Sequence, residues 1–187
     1  ILHFLNREGS ENRTKTIQII GPTKGVGKTT VTNAIGMACA HRGKKTCIID
    51  CDFKQGDIHK IHGLKTKSFE NVVTEDINLN DYQVSDNLYV IPRPKNAAEK
   101  ALGIFESAQF EKMITNIKAN VDILIIDTPP ILSLSDGLAL SNFSDIVVPV
   151  IRHDLSKISD LNNLIVELEM SDIEIFGFIY NGFKQPR

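Results

Sequence analysis

No stretch of this sequence approaches the roughly 20 consecutive apolar residues that a membrane-spanning helix needs, and no secretory-signal pattern is present. Excess charge of one sign is missing too. Lys and Arg number 21 against 23 Asp and Glu, a formal net charge of −2, so bulk electrostatics favours neither nucleic acid nor a membrane surface as main partner. Cysteine is sparse: Cys39, Cys47 and Cys51 form an odd set without a CxxC pair, which excludes a disulfide framework. Cys39 and Cys47 fall in apolar segments and read as small buried thiols of a reducing compartment. Only Tyr82, Tyr89 and Tyr180 supply phenolic hydroxyls. There is no internal repeat and no low-complexity segment.

What is present fits one globular unit. The 187 residues, 42% of them apolar, suffice for one α/β domain with a single core and not for two. Six continuous apolar runs read as strands buried on both faces: 16–21, 46–50, 88–92, 122–127, 145–151 and 173–180. Helical spacing separates them. Val31, Ala34, Ile35, Ala38 and Cys39 share one helix face, as do Phe110, Met113, Ile114 and Ile117, and then Leu161, Leu164, Ile165 and Leu168. Gly43 is placed to stop the first helix. The alternation predicts a three-layer α/β fold, a mostly parallel twisted sheet flanked by helices, with ligands beyond the carboxyl ends of the strands. Residues 1–15 read as a lead-in arm and 16–187 as the domain. Ile1 in first place suggests a processed or excised piece.

Between the first strand and first helix lies Gly21-Pro22-Thr23-Lys24-Gly25-Val26-Gly27-Lys28-Thr29-Thr30. A loop that wraps a triphosphate needs inward backbone amides, and Gly25 and Gly27 remove the side chains that would block them. Lys28 is placed to neutralise the β- and γ-phosphates. Thr29 opens the helix, whose positive end favours the anion, and its hydroxyl can ligate Mg²⁺. Pro22 replaces the usual first glycine, so the cradle starts later; Lys24, Gly25, Val26, Gly27, Lys28, Thr29 and Thr30 are the candidate nucleotide contacts. Two strand ends carry acids: Ile48-Ile49-Asp50-Cys51-Asp52, and Ile123-Leu124-Ile125-Ile126-Asp127 before Thr128-Pro129-Pro130. Three carboxylates converging on the phosphates would repel one another, and a divalent cation would relieve that.

These motifs together resemble the bacterial tyrosine kinases of capsule and exopolysaccharide synthesis, within the MinD/ParA class of P-loop ATPases. The marks are Gly27-Lys28-Thr29, Asp50-Cys51-Asp52, Asp127-Thr128-Pro129-Pro130-Ile131-Leu132 followed by Ser135-Asp136, then Asp86–Pro92 and Gly177–Asn181. The resemblance implies an ATP- and Mg²⁺-dependent protein-tyrosine kinase, a cytoplasmic domain attached to the bacterial inner membrane in a parent polysaccharide co-polymerase. It also implies a homo-oligomer in that parent, a tyrosine cluster of its own or a partner's tail as substrate, and no nucleic acid. Lys28, Asp50, Asp52 and Asp127 would be catalytic. Thr29, Asp52 and Asp127 would hold the metal, while Asp50 would orient or deprotonate the attacking tyrosine. Asn181 would contact the base, or be a plain turn asparagine.

Departures mark the chain as distinct. Lys54 stands where these kinases carry arginine after the paired aspartates, and Lys24 replaces a proline. The MinD/ParA signature lysine belongs one position earlier, at Thr23. A ring-forming helix before Ile1 and a tyrosine-rich tail after Arg187 are not in the sequence, as in an excised catalytic core or in a relative that is not an autokinase. The alternative activity is therefore a MinD/ParA-type switch in which ATP drives dimerisation. A nitrogenase-iron-protein-like reductase would need the three cysteines to bridge a cluster between subunits. His59 and His62 lie three apart without a third ligand and read as an ordinary segment near the substrate rim.

Overall fold

The computed structural model describes residues 14–66, 77–133 and 136–183. Residues 1–13, 67–76, 134–135 and 184–187 lie outside these, among them most of the expected arm and Ser135. In chain order the elements are β1 (Lys15–Ile20), α1 (Lys28–His41), β2 (Thr46–Asp50), α2 (Ile58–Ile61), β3 (Gln83–Ser85), β4 (Leu88–Ile91), α3 (Ala101–Phe105), α4 (Ala108–Asn120), β5 (Ile123–Asp127), α5 (Asp136–Ala139), β6 (Ile146–Arg152), α6 (Ile158–Met170) and β7 (Ile179–Asn181). They build one seven-stranded sheet in the order β3-β4-β2-β5-β1-β6-β7. Every pairing is parallel except β3 with β4.

Strand alternation sorts the core into layers. Leu124 and Ile126 of β5, with Cys47 and Ile49 of β2, pack against Phe105 of α3 and Phe110, Met113, Ile114 and Ile117 of α4. Ile123, Ile125 and Ile48 face the other side, with Ile17 and Ile19 of β1 and Cys39 and Ala40 of α1. Helix α4 begins where Ser107 accepts the Phe110 amide at 3.2 Å. Helix α1 ends where Gly43 turns left-handed at φ +79.

Four readings need correction. Strand β1 begins at Lys15, inside the expected lead-in arm. The buried side of α1 is Lys28, Thr32, Gly36, Cys39 and Ala40, with Ala34 exposed. The helix is rotated because Gly36 lies against the sheet, where an added Cβ would meet Ile48 at 2.5 Å, and Thr32 is drawn to Asp127. The run 173–180 is not one buried strand. A lone bridge joins Val147 to Ile175, and only Ile179–Asn181 pairs as β7. Among the described residues no strand lies beyond β7, and Phe176, Phe178 and Tyr180 on this edge are exposed. Finally, the three-residue β3 joins β4 through Asp86 and Asn87, the latter left-handed at φ 58; a strand so short carries no readable period.

Candidate functional site

The phosphate-loop candidate runs from the end of β1 into α1. Gly21 has no room for a side chain, since an added Cβ would meet Val26 at 2.7 Å and the Val150 carbonyl at 3.1 Å. The carbonyls of Gly21 and Pro22 accept the amides of Ile131 and Leu132 at 3.0 and 3.3 Å, which binds the loop's start to the segment after β5. Gly25 and Gly27 are left-handed, at φ +84 and +98, a conformation that glycine adopts without strain. Three later carbonyls of the loop are engaged by partners. Gly25 accepts from Arg152 Nη1 at 2.9 Å, Val26 from Asn181 Nδ2 at 2.9 Å, and Gly27 from the Val31 amide at 3.0 Å. The first-turn amides of α1, which have no helical acceptor, remain at its open end beside a positive dipole.

Lys28 is buried at 7% exposure. Burial lowers its pKa, opposed by the charges of Asp127 and then Asp52. Asp127 is fully buried at the end of β5 and accepts the hydroxyls of Thr29 at 2.7 Å and Thr32 at 3.2 Å. Burial lifts its carboxyl to about 6, against the pull of the Thr29 hydrogen bond, Lys28 and the Thr32 hydrogen bond. Asp50 and Asp127 are register partners at the ends of adjacent strands. Asp50 is 1% exposed, and its pKa is raised well above the carboxylate range by burial, then by Asp127 and Asp52. One of its oxygens accepts the Asp52 amide at 3.2 Å, while the other has no partner. Asp52 also accepts the Gln55 amide at 2.8 Å.

Lys28, Thr29, Asp50, Asp52, Asp127 and Asn181 thus gather where the sequence motifs anticipate. Lys24 and Thr30 are exposed on the outer side of the loop. Among the described residues no three His, Cys, Asp or Glu side chains form a metal-binding group by themselves. A cation here would rely on the Thr29 hydroxyl, one or two carboxylates, water and phosphate oxygens, the donor set Mg²⁺ favours. The residues fit that role: an orphaned Asp50 oxygen sits in a pocket of clustered negative charge.

Four further residues shape the site. Thr32 fixes Asp127 from one turn into α1. Gly56 covers Asp50 so closely that an added Cβ would lie 2.1 and 2.3 Å from its oxygens. Arg93 donates to the carbonyls of Gly56 at 3.0 Å and Phe53 at 3.2 Å, holding the segment after β2 in place. Arg152 ends β6 as the aspartates end theirs, and that strand-end position is the signal by which it could have been found. His59 and His62 do not converge: His62 pairs with Asn33 at 2.8 Å, and a buried His59 nitrogen has no partner. All three cysteines are free and buried, so none is presented for a cluster shared between copies.

The chain matches the family model AAA_31, described as an AAA domain, over residues 14–174. It is 27% identical to the tyrosine-protein kinase ptk of Acinetobacter johnsonii across 94% of this chain and 24% of that one. The septum site-determining protein MinD of Buchnera aphidicola is 31% identical across 81% of this chain and 58% of that one. Among solved structures, the kinase domain of Escherichia coli tyrosine kinase ETK shares the fold with a TM-score of 0.82 at 23% identity, over 100% of this chain and 73% of that chain. MinD from Pyrococcus horikoshii, solved with Mg-ADP, has a TM-score of 0.71 at 22% identity, over 92% and 72% of the two chains. The chain spans about a quarter of the length of the kinase relatives it matches.

Proposed function

This chain belongs to the AAA domain family AAA_31, and on that premise we propose that it is a protein-tyrosine kinase domain that moves the γ-phosphoryl group of ATP to tyrosine hydroxyls. The observation that carries the reading is the register pairing of Asp50 with Asp127 beside buried Lys28. A phosphate-binding lysine, a threonine–aspartate pair and a separate, unsaturated carboxylate occupy one crevice. The kinase relative of Acinetobacter johnsonii aligns with 94% of this chain, the phosphate loop and strand-end acids among it being the segments this reading uses.

In this reading Lys28 and the amides of Gly25–Thr29 hold the β- and γ-phosphates, with Lys24 and Thr30 at the rim. Thr29, Asp52 and Asp127 hold Mg²⁺, directly or through water; the cation supplies charge neutralisation at the transferring group. Asn181 meets the base from the end of β7. Asp50 orients the incoming phenol or accepts its proton, which matters because a free tyrosine titrates near 10. Asp50 is shielded from solvent, so the hydroxyl reaches it only when the segment around Gly56 moves aside. Most of the acceleration comes from positioning and charge.

The parent would be a longer protein of cell-surface polysaccharide export, with this domain at the inner face of the inner membrane and acting as an oligomer. Among the described residues no helix is long and apolar enough to cross a membrane. The domain itself would run from β1 at Lys15 through 187, preceded by a shorter arm than the sequence suggests. Incubation with ATP, Mg²⁺ and a tyrosine-rich peptide should yield phosphotyrosine; bound ATP without any transfer overturns the reading. A second reading, a MinD/ParA-type switch, is favoured by the 31% identity with a MinD protein. It expects an ATP-dependent dimer with partner-stimulated hydrolysis and no tyrosine product.

A further inference from the structure

Beside the crevice, on the outer edge of the sheet, three side chains form a second arrangement that the proposed chemistry above does not use. Strands β6 and β7 place Ile151 opposite Tyr180 and Arg152 opposite Asn181. Because successive strand residues point to opposite faces, this edge has two sides. Arg152 and Asn181 reach inward and grip the carbonyls of Gly25 and Val26. Tyr180 faces outward, and its hydroxyl is hydrogen-bonded to His153 Nδ1 at 2.5 Å. The other nitrogen of His153 lies 3.3 Å from Asp154 Oδ1. The nearby carboxylate favours a proton on Nε2, which leaves Nδ1 to accept the phenolic proton.

The pieces are held in place. The His153 amide donates to the Asn181 carbonyl at 2.9 Å, so the base and the phenol ride on one ladder. The rings of Tyr180 and His153 meet edge-on, with centroids 5.7 Å apart, and Phe183 closes the cluster at 5.8 Å from the imidazole. Asp154 adopts φ 60, a left-handed strain uncommon for a non-glycine residue that turns the chain directly after His153. Of the three tyrosines, Tyr82 is 4% exposed and Tyr89 half-buried, whereas Tyr180 is 53% exposed on the edge strand.

We propose that Tyr180 is a phosphoacceptor of this chain, primed by His153 and Asp154 and phosphorylated by a second copy. This rests on the kinase reading and adds a substrate residue to it. The attack must come from another molecule because Tyr180 points away from its own phosphate loop, which lies behind the strand on the Arg152 and Asn181 side. In the step, the Tyr180 oxygen forms a bond to the γ-phosphorus of ATP held by the other copy. The bond from that phosphorus to the β,γ-bridging oxygen breaks, and ADP leaves with its electron pair. For this substrate Asp50 of the enzyme copy only orients the phenol, whose proton passes to the acceptor's own His153 Nδ1 while the nearby Asp154 carboxylate stabilises the imidazolium. The new phosphate ends the Tyr180–His153 hydrogen bond.

The test uses wild-type protein labelled with ¹⁵N as enzyme and unlabelled Lys28→Met protein as acceptor, with ATP, Mg²⁺ and a tyrosine-rich peptide in the same tube. Mass spectrometry then separates the two copies. The expected result is phosphate on Tyr180 of the unlabelled copy, at a rate that rises with acceptor concentration. A His153→Gln change in the acceptor should slow that labelling at least ~100-fold, the low end of a general base's contribution, and leave peptide labelling unchanged. An Asp50→Asn acceptor repeats the experiment independently of the Lys28 change. Phosphate on the peptide with none on Tyr180 overturns this inference and leaves the kinase reading standing. Phosphate on Tyr180 that is indifferent to His153→Gln overturns the priming role. No phosphate anywhere, with ATP bound, removes both.

Discussion

The centre of the crevice and the β6–β7 edge lie side by side, yet they solve opposite problems. At the centre, Asp50, Asp127 and Lys28 are withdrawn from water, and their charges are tuned by burial and by one another. At the edge, His153, Asp154 and Tyr180 stay in solvent and are organised by one hydrogen bond and one ion-pair contact. A buried cluster stores electrostatic tension that a bound polyanion and cation can relieve. An exposed one costs little to keep and can meet another molecule. The two are joined physically, because Arg152 and Asn181 leave the edge strands to brace the phosphate loop.

The comparison breaks most sharply at Lys28. Lys28→Met removes the central cation from a pocket of buried carboxylates, and nucleotide turnover should fall by about 10²–10³-fold, the scale of losing an electrostatic contact to the transferring group. Retained turnover would show that the buried centre is not where phosphate is held. Gly56→Ala comes next. Its methyl would overlap the Asp50 carboxylate, so it should cost about 1–3 kcal/mol of stability. Transfer should fall about 100-fold, in line with a misplaced catalytic group, while the Tyr180 cluster is untouched.

Asp127→Asn sharpens the electrostatic half of the contrast. A carboxyl raised from 3.8 to about 6 in the fold binds its proton more tightly there than in the unfolded chain. This contribution is therefore favourable below the unfolded value and lost as pH climbs through 6. At about 1.4 kcal/mol per pH unit the penalty at pH 8 reaches about 3 kcal/mol. Thermal melts without nucleotide should find Asp127→Asn more stable than wild type at pH 8, by up to that amount, and nearly equal at pH 4. Equal curves at both would mean that the carboxylates are not in tension. The smallest effect belongs to the rim. Lys24→Ala should change ATP affinity less than about 3-fold, as for an exposed charge; a large loss would place Lys24 inside the site.

Legibility followed the same divide. Glycines with no tolerable Cβ, a lysine at a helix start and acids at strand ends are written into local spacing, so Gly27, Lys28, Asp50 and Asp127 were all visible in sequence. The parallel strands were visible for the same reason, since burial on both faces leaves continuous apolar runs. The edge was not. The run 173–180 looks like a buried strand, but it lies at the end of the sheet with no further strand beyond β7 among the described residues, and its aromatic residues are exposed. Gly56 and Arg93 were hidden because their roles depend on the path of the chain after β2. Helix α1 was misread by a fraction of a turn because a small residue, Gly36, sits where a large one could not.

The most direct measurement takes one sample of Asp50→Asn and asks two things of it: calorimetric affinity for Mg-ATP, and phosphotransfer to a tyrosine-rich peptide. The account predicts binding within about 3-fold of wild type and transfer lowered at least ~100-fold, the signature of a lost general base. Transfer at the wild-type rate, or a binding heat that vanishes with the same substitution, would contradict it.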